Sequence, residues 1–324
     1  MDRNGKMIKA IAIVGPTASG KTALSLSLAE KLSAEIISLD SMQIYRGMNI
    51  GTAKATAEER ERIPHHLVDF LSPKESYSTE RYRSDALAAC RDITARGKIP
   101  LFVGGTGLYL DTLMRAPQTE IPESSPEYRD KILAGLKTPE DVHALWERLR
   151  AVDAESAEKI HENNVRRVIR ALEIYETTGF TKTSLDETSR AAAKDIDILV
   201  LALEFHSRDT LYSRIDRRVD EMMGEGLLDE VKSLYEAGLL DGKTTASQAI
   251  GYKELLSYIK GESTLPEALE FLKQSTRRYA KRQLTWFRHV NATRLMMDGE
   301  DGKIRDLGEI LAEANEAITT FFKG

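Results

Sequence analysis

The chain has 324 residues, enough for one large or two modest domains at about 150 residues each, and its 46 basic and 51 acidic residues leave a net charge of −5. With 30% charged and 41% hydrophobic residues, 21 glycines and 9 prolines, it is neither disordered nor collagen-like nor of low complexity. A single cysteine, Cys90, excludes an intrachain disulfide and a cysteine-based zinc site and points to a cytoplasmic protein.

In chain order, Lys9 to Val14 reads as a buried strand, Gly15 to Thr22 as a glycine-bearing turn, and Ala23 to Leu32 as a helix with Leu24, Leu28 and Leu32 on one face. A motif opening at Gly15 argues against a cleaved secretory leader. Glu35 to Leu39 is a second strand ending at Asp40. Ser78 to Arg96 has helical spacing, and Ile99 to Val103 is a third strand running into Gly104-Gly105-Thr106-Gly107. Alternating strands and helices of this kind predict a parallel sheet covered on both faces, an α/β core of the P-loop type. From about Pro117 the texture changes. Pro117, Pro122, Pro126 and Pro139 punctuate helical stretches that include Val142 to Leu149 and Val165 to Thr178, which reads as an all-helical insertion. Ile196 to Glu204 returns as a strand, Leu211, Ile215, Val219 and Met222 share a helical face, and Leu227 to Tyr235 is a short helix. Thr264 with Glu267 opens a long helix reaching about His289. The expected organisation is a core of 1–120 and 196–324 with an insertion at 121–195. The longest apolar runs, Met7 to Val14 and Ile196 to Leu203, fall short of the roughly 18 to 20 residues that span a bilayer, so no membrane association is expected.

Charge distribution says more than net charge. No acid occurs between Leu272 and Met297, where Lys273, Arg277, Arg278, Lys281, Arg282, Arg288 and Arg294 lie, and Arg166, Arg167 and Arg170 form a second basic cluster. Two such stripes on a mildly acidic protein suit a locally held polyanion, although a solvated charged face is the usual fate of a stripe. Tyr279 and Trp286 within the first stripe offer stacking surfaces beside phosphate contacts, or serve as core and anchoring residues.

The sequence Gly15-Pro16-Thr17-Ala18-Ser19-Gly20-Lys21-Thr22 has the spacing of a phosphate-binding loop between strand and helix. Backbone N–H groups and the helix N-terminus point at a phosphate there, Lys21 adds charge, and the Thr22 hydroxyl can ligate Mg²⁺. The motif alone leaves open whether a nucleotide or another diphosphate binds. Asp40, at the carboxyl end of a strand beside this loop, has three readings: a Mg²⁺ ligand through water, a general base, or a cap of the following turn. The cluster from Gly104 to Gly107 lets backbone approach a ligand, or is a strand-to-helix turn. His65 and His66 are adjacent and lack a third ligand, so they read as polar surface or supporting histidines.

Taken together, Gly-Pro-Thr-Ala-Ser-Gly-Lys-Thr at 15–22, Asp-Ser-Met-Gln-Ile-Tyr-Arg at 40–46, Gly-Thr-Ala-Lys at 51–54, Gly-Gly-Thr-Gly-Leu-Tyr at 104–109, Asn-Asn-Val-Arg-Arg-Val-Ile-Arg-Ala-Leu-Glu at 163–173, Ala-Ile-Gly-Tyr-Lys at 249–253 and the stretch 276–288 resemble the bacterial tRNA dimethylallyltransferase family over about residues 8 to 290. The resemblance implies transfer of a dimethylallyl group from dimethylallyl diphosphate to the exocyclic amine of the adenine 3′ of the anticodon, in tRNAs reading codons that begin with U. It implies that Asp40 is the general base, with positioning as the alternative, and that Thr106 orients diphosphate or amine. It places the donor diphosphate on Gly15, Thr17, Ala18, Ser19, Gly20, Lys21 and Thr22, with Mg²⁺ on Thr22, and Arg214 and Arg218 as further grips. The anticodon stem-loop is expected on Asp40, Ser41, Met42, Gln43, Thr106, Arg129, Arg166, Arg167, Arg170, Gln248, Gly251, Tyr252, Lys253, Arg277 and Lys281, with the adenine extruded into the core. Arg166 stands where the family often has glutamine. The implied protein is a cytoplasmic monomer. Three rival readings compete: prenyl transfer to a free adenine nucleotide, a small-molecule kinase consuming ATP, and an RNA-binding module whose phosphate loop has decayed, against which the intact Lys21 and Thr22 argue.

Overall fold

The computed structural model describes residues 5–116, 125–188, 193, 195–242 and 244–323. The prolines at 117 and 122 and the expected boundary at 120–121 lie outside them. Strand β1 (Ile8–Val14) leads into α1 (Lys21–Leu32), β2 (Ala34–Leu39), α2 (Ala57–Arg62), β3 (His65–His66), α3 (Thr79–Ala95), β4 (Ile99–Gly104) and α4 (Gly107–Met114). Five helices follow: α5 (Pro126–Gly135), α6 (Pro139–Val152), α7 (Ala154–Lys159), α8 (Val165–Thr178) and α9 (Lys182–Thr188). Then come β5 (Ile196–Glu204), α10 (Arg208–Gly224), α11 (Leu227–Glu236), α12 (Tyr252–Ile259), α13 (Leu265–Phe287), β6 (Thr293–Met296) and α14 (Leu307–Lys323).

The six strands form one sheet in the order β3-β2-β4-β1-β5-β6, with every pairing parallel. Parallel strands covered on both faces must be apolar throughout. Accordingly Ala10 to Val14 have no exposed surface, and all of β2 is buried. One face carries Ile11, Ile13, Ile36, Leu101, Leu201 and Leu203 against Leu24 and Leu28 of α1 and Ile310, Ala314 and Ile318 of α14. Cys90 lies wholly buried on α3, its thiol pushed up to about 12 by burial. A second cluster joins Ile44, Tyr45, Met48 and Leu71 to Val219 of α10, Leu227 and Val231 of α11 and Tyr252 and Leu255 of α12.

Register fixes where the loops begin. Val14 pairs with Gly104, and Gly104 with Leu39, so β1, β4 and β2 end side by side. The edge strands β3 and β6, of two and four residues, are too short to leave a periodic signal in sequence. The two adjacent histidines form β3, where His66 Nε2 lies 2.7 Å from Glu35 Oε2 and His65 Nδ1 donates to the Ile63 carbonyl. Both therefore serve the sheet edge as supporting groups.

The chain divides into two compact units, Met1–Asp111 with Lys194–Gly324, and Thr112–Ala193. The second is helical, with Leu145 and Leu149 of α6 packed with Ala157, Ile160, Val168, Ile169 and Leu172. Thr138 and Asp141 close a capping box at the start of α6. The main-chain N–H of Ala193 donates to the Met114 carbonyl at 2.9 Å, which joins the two ends of this unit.

Glu35, buried at the start of β2, faces His66, Arg96 at 2.6 Å and Lys98 at 3.0 Å. Burial alone would raise its pKa, but these hydrogen bonds override it and hold the carboxyl at about 2. Its stabilisation is therefore complete above the ordinary value of 4.5 and is lost as pH falls towards 2. Thermal unfolding across this pH window should show Glu35→Gln melting a few degrees below wild type at neutral pH, with the difference shrinking in acid.

Candidate active site

The loops after β1, β2 and β4 open into a cavity of about 1060 Å³, lined by Thr17 to Thr22, Asp40 to Gln43, Asn49 to Ala57, Gly104, Gly105, Arg214, Gln248 and residues of α13. The sequence departs from regular structure at the same level in each loop, because the strands end in register. Ligands of open α/β sheets bind at this edge.

On the first side is the glycine-bearing loop. Lys21, the first residue of α1, donates from Nζ to the carbonyls of Gly15 at 3.0 Å and Pro16 at 2.6 Å. Burial brings its ammonium down to about 8, opposed by the charge of Asp40. Ser19 Oγ is buried with no hydrogen-bond partner among the described residues. A buried hydroxyl without a partner is costly, and an anion held in the loop would satisfy it. Arg214 Nε donates to the Ala18 carbonyl at 2.9 Å and so belongs to this side, its pKa lowered by burial and by Arg217 while it stays charged. Arg218 also lines the cavity, but it reaches Glu221 and Glu225 at 3.7 Å, so part of its charge is spent within the protein.

Asp40, at the end of β2, lines the same cavity. Its Oδ1 accepts from the main-chain N–H groups of Met42 at 2.8 Å and Gln43 at 3.3 Å, while Oδ2 makes no hydrogen bond to the described residues. The carboxylate thus caps its turn with one oxygen and keeps the other available. Burial pushes its pKa up, opposed by the two N–H groups and by Lys21. Asp40 and Lys21 act on each other through charge without an ion-pair contact between them. Thr106 ties the third loop to this one: its N–H donates to the Leu39 carbonyl, its Oγ1 accepts from Ser41 N at 3.2 Å, and its hydroxyl hydrogen-bonds with that of Tyr279.

Gln283, within the stretch 276–288, is the brace between the loops. Its Oε1 accepts from Thr17 N and its Nε2 donates to the Gly105 carbonyl, each at 3.0 Å. A Cβ at 105 would fall 2.0 Å from Gln283 Nε2, so a side chain there would push the brace out of place. No signal in the sequence flags a glutamine on a basic helix as buried.

The structure also sorts the expected RNA contacts. Gln248, Lys253 and Lys281 are exposed, and Gln248 lines the cavity. Tyr252 and Gly251 are both buried: the Tyr252 hydroxyl donates to Glu230 at 2.6 Å and its ring belongs to the core, while Gly251 lines the cavity. Arg277 has acidic partners within the protein. It grips Asp216 at 2.6 Å and Glu270 at 3.2 Å, and Lys273 likewise pairs with Asp220, because α10 lays its acids along α13. Lys281, by contrast, makes no ion pair among the described residues, and Arg282 lies over the Tyr279 ring at the cavity. Trp286 is partly exposed and packs on Gly107, an anchor for the third loop. Arg129, Arg166, Arg167 and Arg170 all lie in the helical unit. Arg166 and Arg167 are exposed on α8, and Arg170 reaches the buried Glu173 at 2.7 Å.

The chain is similar to proteins of one kind. A family model described as IPP transferase matches residues 43–290, and one described as isopentenyl transferase matches residues 8–68. A tRNA dimethylallyltransferase of Anoxybacillus flavithermus is 50% identical over 282 residues, 87% of this chain and 88% of that one. Its counterpart in Halalkalibacterium halodurans is 45% identical over 307 residues, 94% and 96% of the two chains. Among solved structures, a tRNA isopentenylpyrophosphate transferase of Staphylococcus epidermidis superposes with a TM-score of 0.69 at 43% identity, covering 96% of this chain and 99% of its own. A eukaryotic dimethylallyltransferase acting on tRNA gives 0.76 at 33% identity, covering 95% and 77%.

Because the Lys21 ammonium loses its proton as pH rises through about 8 in the free protein, affinity for a diphosphate ligand should decline above that pH. Lys21→Ala should weaken dimethylallyl diphosphate binding about 10- to 100-fold, the size of a lost charge-assisted bond, and remove this pH limb. Titration calorimetry between pH 7 and 9.5 reads both effects, and an unchanged affinity would contradict the diphosphate assignment.

Proposed function

Because the chain belongs to the tRNA dimethylallyltransferase family, we propose that it moves a dimethylallyl group from dimethylallyl diphosphate to the exocyclic amine of the adenine next to the anticodon on its 3′ side, in tRNAs reading codons that begin with U. One observation supports this above the others: the phosphate loop and Asp40, with one carboxylate oxygen available, line the same cavity. The carbon–oxygen bond to diphosphate breaks as the nitrogen–carbon bond forms, and the amine loses a proton to Asp40. The leaving diphosphate carries growing negative charge, which the loop N–H groups, Lys21 and Arg214 stabilise. An aromatic amine is a weak nucleophile, so a base held in place by two backbone N–H groups matters, and a pKa raised by burial makes Asp40 a better acceptor than an ordinary carboxylate. Thr106, fixed to Ser41 and Tyr279, orients the reacting groups.

The residues fit Mg²⁺. Among the described residues no group of three or more acidic, histidine or cysteine side chains is placed to hold a metal, and Mg²⁺ in such sites uses one or two protein oxygens plus substrate phosphates. Thr22, exposed at the start of α1, would supply the oxygen. When bound, the ion neutralises charge on the diphosphate.

The acceptor is a polynucleotide in this reading. The adenine is extruded towards Asp40 to Gln43, while Lys281, Gln248 and Lys253, together with Arg129, Arg166, Arg167 and Arg170 of the helical unit, hold RNA phosphates. No helix among the described residues is long and apolar enough to cross a membrane, in keeping with a cytoplasmic setting.

Incubating the protein with Mg²⁺, dimethylallyl diphosphate and either an anticodon stem-loop, AMP or ATP, with mass spectrometry as readout, should show one added isopentenyl unit on the stem-loop alone. Modified AMP or ATP would move the protein to prenyl transfer onto free nucleotides. Asp40→Ala should slow transfer by about 10²–10⁴-fold with tRNA affinity nearly unchanged in a filter-binding assay. Lys281→Ala should flatten the salt dependence of tRNA affinity by about one unit of slope. Arg277→Ala should change that slope less, since Asp216 already neutralises Arg277.

A further inference from the structure

Glu230, on α11, has no part in the chemistry above, yet its carboxylate organises one wall of the cavity. It accepts from the main-chain N–H groups of three consecutive residues, Asn49 at 2.9 Å, Ile50 at 2.9 Å and Gly51 at 3.2 Å. A fourth bond comes from the Tyr252 hydroxyl at 2.6 Å. Successive backbone N–H groups converging on one anion form a concave donor set that a charge fills far better than a neutral acceptor. The Tyr252 ring in turn presses on Gly51, where a Cβ would fall 2.5 Å from it, so the loop fits flat against α12 only with glycine there.

The loop held in this way reaches the reacting side of the cavity. The carbonyls of Thr52 and Ala53 accept from Gln43 Nε2 at 3.1 and 3.3 Å, and Gln43 Oε1 accepts from Ser38 Oγ. The Gln43 N–H donates to Asp40 Oδ1. A continuous set of hydrogen bonds thus runs from Glu230 through residues 49–53 to Gln43 and Asp40. The members are mostly half-buried, and linked hydrogen bonds in such a setting support one another, so loss of one loosens the rest.

We propose that Glu230 is the positioning residue of the acceptor side of the site, setting the 49–53 loop so that Gln43 and Asp40 meet the extruded base. This rests on the reading of residues 40–43 as the acceptor edge. It also gives the buried Tyr252 a role, as the brace that orients the Glu230 carboxylate.

Steady-state transfer by Glu230→Ala and Glu230→Gln tests it, with KM measured separately for anticodon stem-loop and for dimethylallyl diphosphate, alongside the Tm of each variant. Glu230→Ala should raise the stem-loop KM about tenfold or more, as a small misplacement of a binding group does, and leave the donor KM within about twofold, since the phosphate loop lies outside the network. Glu230→Gln keeps one oxygen for part of the N–H set but turns an NH2 towards the remaining donors, so it should show the same split of KM values and recover only part of the loss. Should the alanine variant fail to fold, Tyr252→Phe, which removes one of the four bonds, should show the same split at about two- to threefold. A lower Tm with both KM values unchanged overturns the proposal and leaves Glu230 a stabilising brace, and an equal rise in both KM values overturns it too. Absence of transfer to the stem-loop by wild type would sink the acceptor-edge reading itself, a result visible before any variant is made.

Discussion

Three parallel strands that stop at one level set every other feature of the site. Val14, Gly104 and Leu39 are neighbours across the ladder, so the phosphate loop, Asp40 and the 104–107 turn all leave the sheet at its carboxyl edge. Side-chain direction in a strand has a period of two, and with both faces packed a slip of one residue would exchange the side chains fitted to the two covering layers. With β1 and β2 almost wholly buried, such a slip is prohibitively costly. The register that protects the core therefore also sets where the glycine-bearing loop and Asp40 leave the sheet relative to each other.

Within that frame, burial does the electrostatic work. Asp40 and Lys21 share a poorly solvated cavity, and each is displaced from its ordinary proton affinity in the direction burial dictates, with the other opposing the change. Opposite charges in contact would tend to neutralise each other. Kept apart, one stays available to an anion and the other to a proton. The polar contacts that hold them are largely main-chain: Met42 and Gln43 to Asp40, Gly15 and Pro16 to Lys21. Gln283 supplies the side-chain link, satisfied at both ends of its amide, between two loops far apart in the chain.

The local parts of this arrangement were legible in sequence because they depend on spacing. The glycine and lysine positions of residues 15–22, the apolar runs of the strands, and the capping box at Thr264 all appear where the chain alone puts them. What sequence cannot reveal is which side chain a distant element will neutralise. Arg277 and Lys273 read as part of an acid-free stripe, and α10, more than 50 residues earlier in the chain, supplies Asp216 and Asp220 opposite them. Tyr252 sits in a motif that resembles an RNA-binding one, yet the apolar layer of α11 and α12 claims its ring. Glu230 looks like any surface acid on an amphipathic helix, and its importance arises from three backbone groups contributed by a loop some 180 residues away. The short edge strands β3 and β6 escaped notice because pairing to a neighbour, rather than their own periodicity, defines them.

The hydrogen bond from Ala193 to Met114 carries an evolutionary consequence. The helical unit begins and ends at one point, with its own apolar core, so the path from α4 to β5 is topologically a short connection into which a module has been spliced. A module with meeting ends can be gained, trimmed or exchanged without re-threading the sheet or disturbing its ladder. Selection can then vary the helical surface, with its exposed arginines on α8, at a rate independent of the chemistry at the sheet edge, where the register of three strands tolerates almost no change.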